Sequence, residues 1–179
     1  MPDFAPLLLG KDLRTIKNAD NVAQLVTDQA SFDDLFTLLF HHERPLVMRA
    51  ADAVEKVTRK HKEFLAPYKV QLLSLLKGAI NIELKWHIAQ LIPRIRLDPH
   101  ELQEVWSILS YWVRNPNESK LVRANSLQGL FELSRQAPAF RTQFAAVLDD
   151  LSHERIPSLI ARVKKLRRLL TLTDTAGLP

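Results

Sequence analysis

Four apolar residues recur at a nearly constant interval along this chain of 179 residues. Val47, Leu84, Val122 and Ile156 stand 37, 38 and 34 residues apart, and each starts a segment with the apolar periodicity of a helix. Intervals of this length are typical of arrays of two-helix repeats, in which a single pair of helices is too thin to bury its own apolar face. The spacing therefore predicts an all-α chain that is stabilised by stacking of neighbouring helix pairs.

The segment from Val122 to Leu133 shows the pattern most clearly. Val122, Ser126, Leu130 and Leu133 fall on one face of a helix, and the small residues Ser126 and Gly129 allow a neighbouring helix to come close. Arg123 directly follows the leading valine. A Val-Arg start followed by small and apolar residues is similar to the second helix of a HEAT repeat.

Prolines and polar residues divide the chain into eight main helices. Proline is favoured in the first turn of a helix, where its missing amide hydrogen is not needed. The prolines that start a predicted helix are Pro45, Pro67, Pro99, Pro138 and Pro157. Asp20 and Ser31 are candidate N-caps, and Gly78 is expected to end a helix. Val70 and Leu72 are both expected to point inward from the helix that Pro67 opens.

These boundaries predict an all-α fold, an α-α superhelix (HEAT-like solenoid) of about four helix pairs with an N-terminal capping helix before them. Residues 18–170 form a single HEAT-like repeat domain in this prediction. Residues 1–17 contain Pro2, Pro6 and Gly10 and are expected to form an arm that lies on the domain. Residues 171–179 are expected to be a frayed tail.

Three segments carry a more specific family resemblance. They are RAADAVEKVTRKH (Arg49 to His61), PYKVQLL (Pro67 to Leu73) and LKWHIAQLIPRIRL (Leu84 to Leu97). Together they resemble an uncharacterised bacterial group of small HEAT-repeat proteins that has RAADALEKV and RWHxAQ segments at like separation. The resemblance covers most of residues 15 to 170 and departs at Lys85, where the group usually has arginine, and in the third repeat. It implies an α-solenoid fold and no particular activity.

Composition and motifs argue against several kinds of site. The chain has no cysteine, which excludes disulfides, thiolate zinc sites and a cysteine nucleophile. It also has no Walker A, GxGxxG, GxSxG or HExxH segment, and no helical i, i+4 pair of histidines. His87 is expected to be half-buried and hydrogen-bonded to a helix or loop carbonyl oxygen, because no local partner for a general base is evident. We therefore expect no catalytic residues, no metal and no cofactor, and hence no enzyme.

The opening residues lack the basic region of a signal peptide, and no apolar run approaches the roughly 20 residues that span a bilayer. A cytoplasmic protein without membrane contact is therefore expected. The net charge is +5, of which residues 152–179 supply +4. This basic last helix can meet nucleic acid or an acidic partner. Alternatively it is a solvated outer face whose cations are favoured by the helix dipole.

Trp86 is the best candidate for a binding residue. It lies nearly opposite the centre of the apolar stripe of its helix, so it can be an exposed aromatic side chain on the concave wall of the array. Repeat alignment places Arg49 at the equivalent position, and Gln90, Arg123 and Arg162 extend the set into a polar and aromatic ridge. Two alternatives stay open: Trp86 packs sideways against a neighbouring helix, and Arg123 pairs with an acidic group of the adjacent repeat.

The leading functional prediction is a non-enzymatic scaffold that binds a protein partner along the concave face. The alternative is a nucleic-acid-binding module that uses Arg49, Arg123, Arg162 and the basic last helix. A more remote alternative is an enzyme like the HEAT-like DNA glycosylases. Those enzymes bring several aromatic residues and a carboxylate together on the concave face, whereas this sequence offers only Trp86.

Overall fold

A computed structural model of the protein describes residues 3–9 and 17–175. The described residues form helices and no strand, which confirms the all-α prediction. The ten α-helices in this part of the chain are α1 (Phe4–Leu9), α2 (Lys17–Leu25), α3 (Gln29–Thr37), α4 (Arg44–Thr58), α5 (Lys69–Gly78), α6 (Ile82–Leu91), α7 (Pro99–Arg114), α8 (Lys120–Gln136), α9 (Arg141–Asp150) and α10 (Pro157–Thr175). None of these helices combines the length and the apolar character that crossing a membrane requires.

The helices fall into two compact units, Met1–Arg96 and Leu97–Pro179, which we call unit 1 and unit 2. In unit 1, α3 packs on α4 and α5 packs on α6. Helix α4 also contacts α2 and α6, so that it is the central element of the unit. Its fully buried side chains include those of Leu46 and Val54.

In unit 2, α7 packs along α8, and α8 also contacts α9 and α10. The core of this unit contains Val122 and Leu130 from α8, Leu109 from α7 and Phe144 from α9, all with no exposed surface. Burial of side chains of this size is the main stabilising term for such a unit. The single repeat domain expected for residues 18–170 stays a prediction.

The predicted start of a helix is correct where a capping residue and a proline stand next to each other. Asp98 caps α7 by accepting from the amides of His100 and Glu101 at 2.9 Å, and Pro99 is the first helical residue, as predicted. Ser31, in contrast, is not the N-cap of α3. Asp28 has that role, and its carboxylate accepts from the Ser31 amide at 2.8 Å while the Ser31 hydroxyl accepts from the Asp28 amide at 3.3 Å. This reciprocal capping box starts the helix three residues earlier than expected.

The other expected N-cap, Asp20, lies inside the first turn of α2, because the helix already begins at Lys17. Its carboxylate is favoured there by the helix dipole rather than by a capping bond. The helix expected to start at Pro67 also differs from the prediction. Pro67 belongs to a 3-10 segment, Lys62–Tyr68, and α5 begins directly after it.

Val70 is 74% exposed, so the prediction that it points inward is wrong. Residues two positions apart lie about 200° apart around a helix, and therefore Val70 and the buried Leu72 cannot share a face. Gly78 is the last residue of α5, as expected. None of the described glycines has a positive φ, so Gly78 ends the helix without the left-handed geometry of a glycine cap.

The ends of the described chain are more helical than the sequence pattern indicates. Part of the expected arm forms α1, whose Phe4 and Leu8 are buried one turn apart on the same face. Helix α10 continues to Thr175, so the first five residues of the expected tail are helical. Residues 1–2 and 10–16 of the predicted arm and residues 176–179 of the predicted tail lie outside the described residues.

Candidate functional site

Polar side chains join α4 to the segment formed by α6 and the 3-10 turn that follows it. The three pairs, in order along α4, are Arg44 with Glu83, Asp52 with His87 and Glu55 with Arg94. The first pair is the most exposed, with donor and acceptor 2.8 Å apart, whereas the last pair is largely shielded from water. Hydrogen-bonded ion pairs of Arg44 and Arg94 thus join α4 to the two ends of this segment, whereas Asp52 and His87 lie near each other between them.

Glu55 is a buried carboxylate with an unusually complete set of donors. Its oxygens accept from Arg94 at 2.5 Å and from Arg59 at 2.6 and 3.0 Å. Arg94 also donates to the main-chain oxygen of Glu55 at 2.7 Å and to the Thr58 hydroxyl at 2.6 Å. Burial alone would raise the pKa of Glu55, but the bonds from Arg59 and Arg94 outweigh it and hold the pKa below its usual value.

A second charged network connects α2, α4 and α6. Lys56 lies 2.9 Å from Asp52 on its own helix and 2.6 Å from Asp20 on α2. Burial would raise the pKa of Asp52, but His87 and Lys56 hold it below its usual value. Lys56 is therefore the cation that neutralises the carboxylates of two neighbouring helices.

His87 is 1% exposed, so it is more deeply buried than the half-buried state expected from the sequence. The expected bond to a helix carbonyl is present, because Nδ1 donates to the main-chain oxygen of Glu83 at 2.7 Å. Nε2 points toward Asp52 at 3.8 Å, which is longer than a hydrogen bond, and it has no partner among the described residues. The imidazole and the Asp52 carboxylate are thus close neighbours without a hydrogen bond between them.

Trp86 covers His87. The two rings are stacked with centroids 3.5 Å apart, and Trp86 itself stays half-buried. Gln90, one turn later, is also half-buried and donates from Nε2 to the main-chain oxygen of Trp86 at 3.3 Å. The indole is consequently neither fully exposed nor part of the core, and its orientation is supported by the imidazole beneath it.

Arg49 does not line an open surface, contrary to the predicted ridge. Its side chain is 4% exposed, and its guanidinium donates to the main-chain oxygen of Leu8 in α1. The sequence could not indicate this, because α1 and α4 are far apart in the chain. Packing of α1 on α4 turns a residue expected at a binding face into a buried donor.

Arg123 is also removed from the predicted ridge. It is 3% exposed, its Nε donates to the main-chain oxygen of Val113 at 2.9 Å, and its guanidinium binds the carboxylate of Glu154. Pairing of Arg123 with an acidic group is therefore confirmed, and the group is Glu154. Arg162 is half-buried and donates to the Gln128 side chain at 2.9 Å.

The sequence separation of the polar partners is a signal that helical periodicity does not contain. Five pairs that join different elements are Arg44–Glu83, Glu55–Arg94, Arg114–Asp150, Arg123–Glu154 and Gln128–Arg162. Their separations of 31 to 39 residues are close to the repeat interval. A search for complementary side chains one repeat apart would have assigned these residues to structure rather than to ligand binding.

Unit 2 presents a basic face on α10. Lys164, Lys165 and Arg168 are exposed and lie within about 100° of one another around the helix. No ion-pair partner is found for them among the side chains described in this unit. Arg167, in contrast, is bound to the main-chain oxygen of Leu148 at 3.0 Å and to Asp149 at 2.9 Å.

One group of possible metal ligands occurs in the turn before α4. A nitrogen of His41, a nitrogen of His42 and a carboxylate oxygen of Glu43 lie within 4.8 Å of one another. The Glu43 amide donates to Nδ1 of His41 at 3.1 Å, which places the proton of the neutral ring on Nε2. An ion could bind either nitrogen of His41 only if the hydrogen bond from the Glu43 amide changed. The arrangement of His41, His42 and Glu43 is that of a hydrogen-bonded turn.

Comparisons of the chain with protein-family models, with curated proteins and with solved structures find no match. The resemblance carried by Arg49 to His61 and by Leu84 to Leu97 stays a prediction.

Proposed function

We propose that this protein is a non-enzymatic interaction module built from HEAT-like helix pairs, and that it binds a protein partner. Support comes chiefly from the polar contacts between residues one repeat apart, such as Glu55 with Arg94 in unit 1 and Gln128 with Arg162 in unit 2. In helical arrays, consecutive pairs contact each other through equivalent helices and present a continuous surface to a partner. The contacts of α4 with α2 and α6, and of α8 with α10, fit this scheme.

Trp86 and Gln90 are the binding residues in this proposal. Arg49 and Arg123 are buried and hydrogen-bonded to main-chain oxygens of the protein itself, so they do not take part in binding. A tryptophan whose orientation is supported by a stacked neighbour loses little freedom when it binds, and such residues often dominate the energy of an interface. The half-buried indole over His87 has these properties.

A capture experiment with the full chain tests the proposal. Tagged wild-type protein and the Trp86→Ala variant are incubated with extract from the native organism, and the bound proteins are quantified. Phe40→Ala is the control, because Phe40 is another aromatic residue of unit 1 and is 54% exposed. We expect recovery of the partner to fall at least tenfold with Trp86→Ala and to stay unchanged with Phe40→Ala. Equal recovery by all three proteins would remove Trp86 from the site.

Nucleic-acid binding is the second candidate, and the exposed cations of α10 favour it. Each phosphate that Lys164, Lys165 or Arg168 neutralises is expected to contribute about −0.9 to the slope of log affinity against log salt on duplex DNA. Binding of duplex DNA and RNA is measured from about 50 mM salt upward. Arg168→Ala is compared with Lys120→Ala, which removes the same charge from an exposed site on α8. Absence of binding at the lowest salt would exclude this function.

A further inference from the structure

An aromatic side chain and a carboxylate meet around one buried imidazole between α4 and α6. The Trp86 ring stacks on the His87 ring with centroids 3.5 Å apart, and Nε2 of His87 lies 3.8 Å from Oδ1 of Asp52. Trp86 is half-buried and the Asp52 side chain is 24% exposed, so both are partly open to solvent. We call Trp86, His87 and Asp52 the indole-carboxylate site.

The two polar atoms that face each other at this site are both acceptors. Nδ1 of His87 donates to the main-chain oxygen of Glu83 at 2.7 Å, so Nε2 of the neutral ring carries a lone pair. Nε2 is buried and has no hydrogen-bond partner among the described residues. Its lone pair is directed at a carboxylate oxygen of Asp52. Because a buried acceptor without a donor costs free energy, the site is short of hydrogen-bond donors.

The charges around Asp52 include more carboxylates than cations. Lys56 binds Asp52 at 2.9 Å and Asp20, on α2, at 2.6 Å, so one ammonium group serves two carboxylates. Arg59, the next cation along α4, is bound to both oxygens of Glu55. Asp20, Asp52 and Lys56 together therefore place a net negative charge next to the site.

Trp86 belongs to the side of α6 that faces α4. Glu83, Trp86 and His87 fall within about 100° of one another around the helix. Glu83 binds Arg44 of α4, and His87 approaches Asp52 of the same helix. The indole is thus on the same side of α6 as the carboxylate, and one ligand group can contact both.

We propose that the indole-carboxylate site binds a cationic side chain, lysine or arginine, of the partner protein. The inference rests on the proposed function and names the chemistry of the partner at Trp86. A positive charge over an indole is attracted by the negative face of the ring. The same ammonium or guanidinium group supplies donors for the Asp52 carboxylate and neutralises the excess negative charge. An apolar or acidic side chain of the partner would do neither.

Titration of the full chain with three blocked pentapeptides tests this site. Each peptide has arginine, lysine or norleucine at the centre and glycine at the other positions. Binding is followed by the NMR signals of the indole N–H groups, of which the chain has three. The signal of Trp86 is assigned by its loss in Trp86→Phe. Trp106 and Trp112, which are 4% and 5% exposed, serve as internal controls.

We expect the arginine and lysine peptides to shift the Trp86 signal with about tenfold higher affinity than the norleucine peptide, and to leave the other two signals unchanged. Equal affinity of the three peptides would indicate an apolar contact and would overturn the proposal. Absence of any shift of the Trp86 signal up to roughly 10 mM peptide would overturn it as well. This comparison uses the wild-type protein, so it does not depend on folding of a variant.

Asp52→Asn removes the charge of the carboxylate and keeps the shape of the side chain. It should weaken binding of the arginine peptide about fivefold. Glu63→Gln is the matched control, because Glu63 is an exposed carboxylate of unit 1. Unchanged affinity in a folded Asp52→Asn protein would contradict the proposal. Sedimentation addresses another occupant: a wild-type dimer that dissociates in Asp52→Asn would assign the cation to a second copy and overturn the partner.

The outcome is separable from that of the proposed function. Loss of the captured partner with Trp86→Ala, combined with equal affinity of the arginine and norleucine peptides, would overturn this inference alone. Preference for the arginine peptide, combined with unchanged capture by Trp86→Ala, would overturn the proposed binding of a partner at Trp86 and leave the cation preference of the site in place.

Discussion

The guanidinium of Arg94 lies 2.5 Å from the buried carboxylate of Glu55, 39 residues earlier in the chain. Arg94 also binds the main-chain oxygen of Glu55 and the Thr58 hydroxyl, so one side chain holds three acceptors of α4. Arg59 completes the donors around the carboxylate. A buried ion pair is tolerated only when its members are bonded in this way, so the contact between α4 and the turn after α6 depends on Arg94.

Replacement of Arg94 by methionine should destabilise the protein by about 3 kcal/mol, because it removes one of the two arginines that bind a buried carboxylate. Arg44→Met is the matched control. Arg44 also binds a carboxylate 39 residues away across α4 and α6, but its side chain is 60% exposed. Solvent-exposed ion pairs contribute at most about 1 kcal/mol. Urea unfolding of the full chain measures both free energies of unfolding, and equal losses would contradict the assignment of Glu55 as a buried anchor.

Acid should destabilise the protein through Glu55. Burial tends to raise the pKa of this carboxyl, but Arg59 and Arg94 keep it below the ordinary value of 4.5. The unfolded chain therefore binds the proton at higher pH than the folded chain does, and stability is lost as the pH falls below about 5 through the folded pKa. The Glu55→Gln variant should be less stable than the wild-type protein at pH 7, and its stability should fall less on acidification. Thermal melts between pH 7 and pH 3 test this, and parallel pH profiles for the two proteins would refute it.

Leu72 and Val70, two residues apart on α5, should respond very differently to truncation. Leu72 has no exposed surface, so Leu72→Ala should reduce the free energy of unfolding by about 3 kcal/mol through lost burial and a cavity. Val70 is 74% exposed, and Val70→Ala should change the free energy of unfolding by at most about 0.5 kcal/mol. Denaturant titrations of the two variants provide the measurement. A large loss of stability in Val70→Ala would support the inward orientation that the sequence pattern suggested.

Gly78→Ala should stabilise the protein slightly. Gly78 belongs to α5 and has no positive φ, and a Cβ added there meets no atom within 4 Å. Alanine restricts the unfolded chain more than glycine does, so we expect a gain of roughly 0.5 kcal/mol and a higher melting temperature. A lower melting temperature would show that this position needs the freedom of glycine.

The amino-acid sequence by itself determined the helical class of this protein and many of its helix starts. The apolar periodicity of the helices that contain Val47 and Val122, and the Asp98-Pro99 start of α7, depend on residues within a turn or two of each other. Periodicity, proline geometry and capping act over such short distances, so they are visible without a fold. The errors at Ser31 and Val70 are local as well: a competing cap at Asp28 and a two-residue step around α5 were available in the sequence.

Only the tertiary structure decided which polar residues are open to a partner. Arg49 is buried because α1 packs on α4, and Arg123 is buried because Glu154 and the end of α7 close around it. Trp86 is half-buried, and one face of its ring is stacked on the buried His87. Helical periodicity states which way a side chain points from its own helix. Whether that direction leads to solvent or to another segment depends on contacts between residues that are distant in the chain.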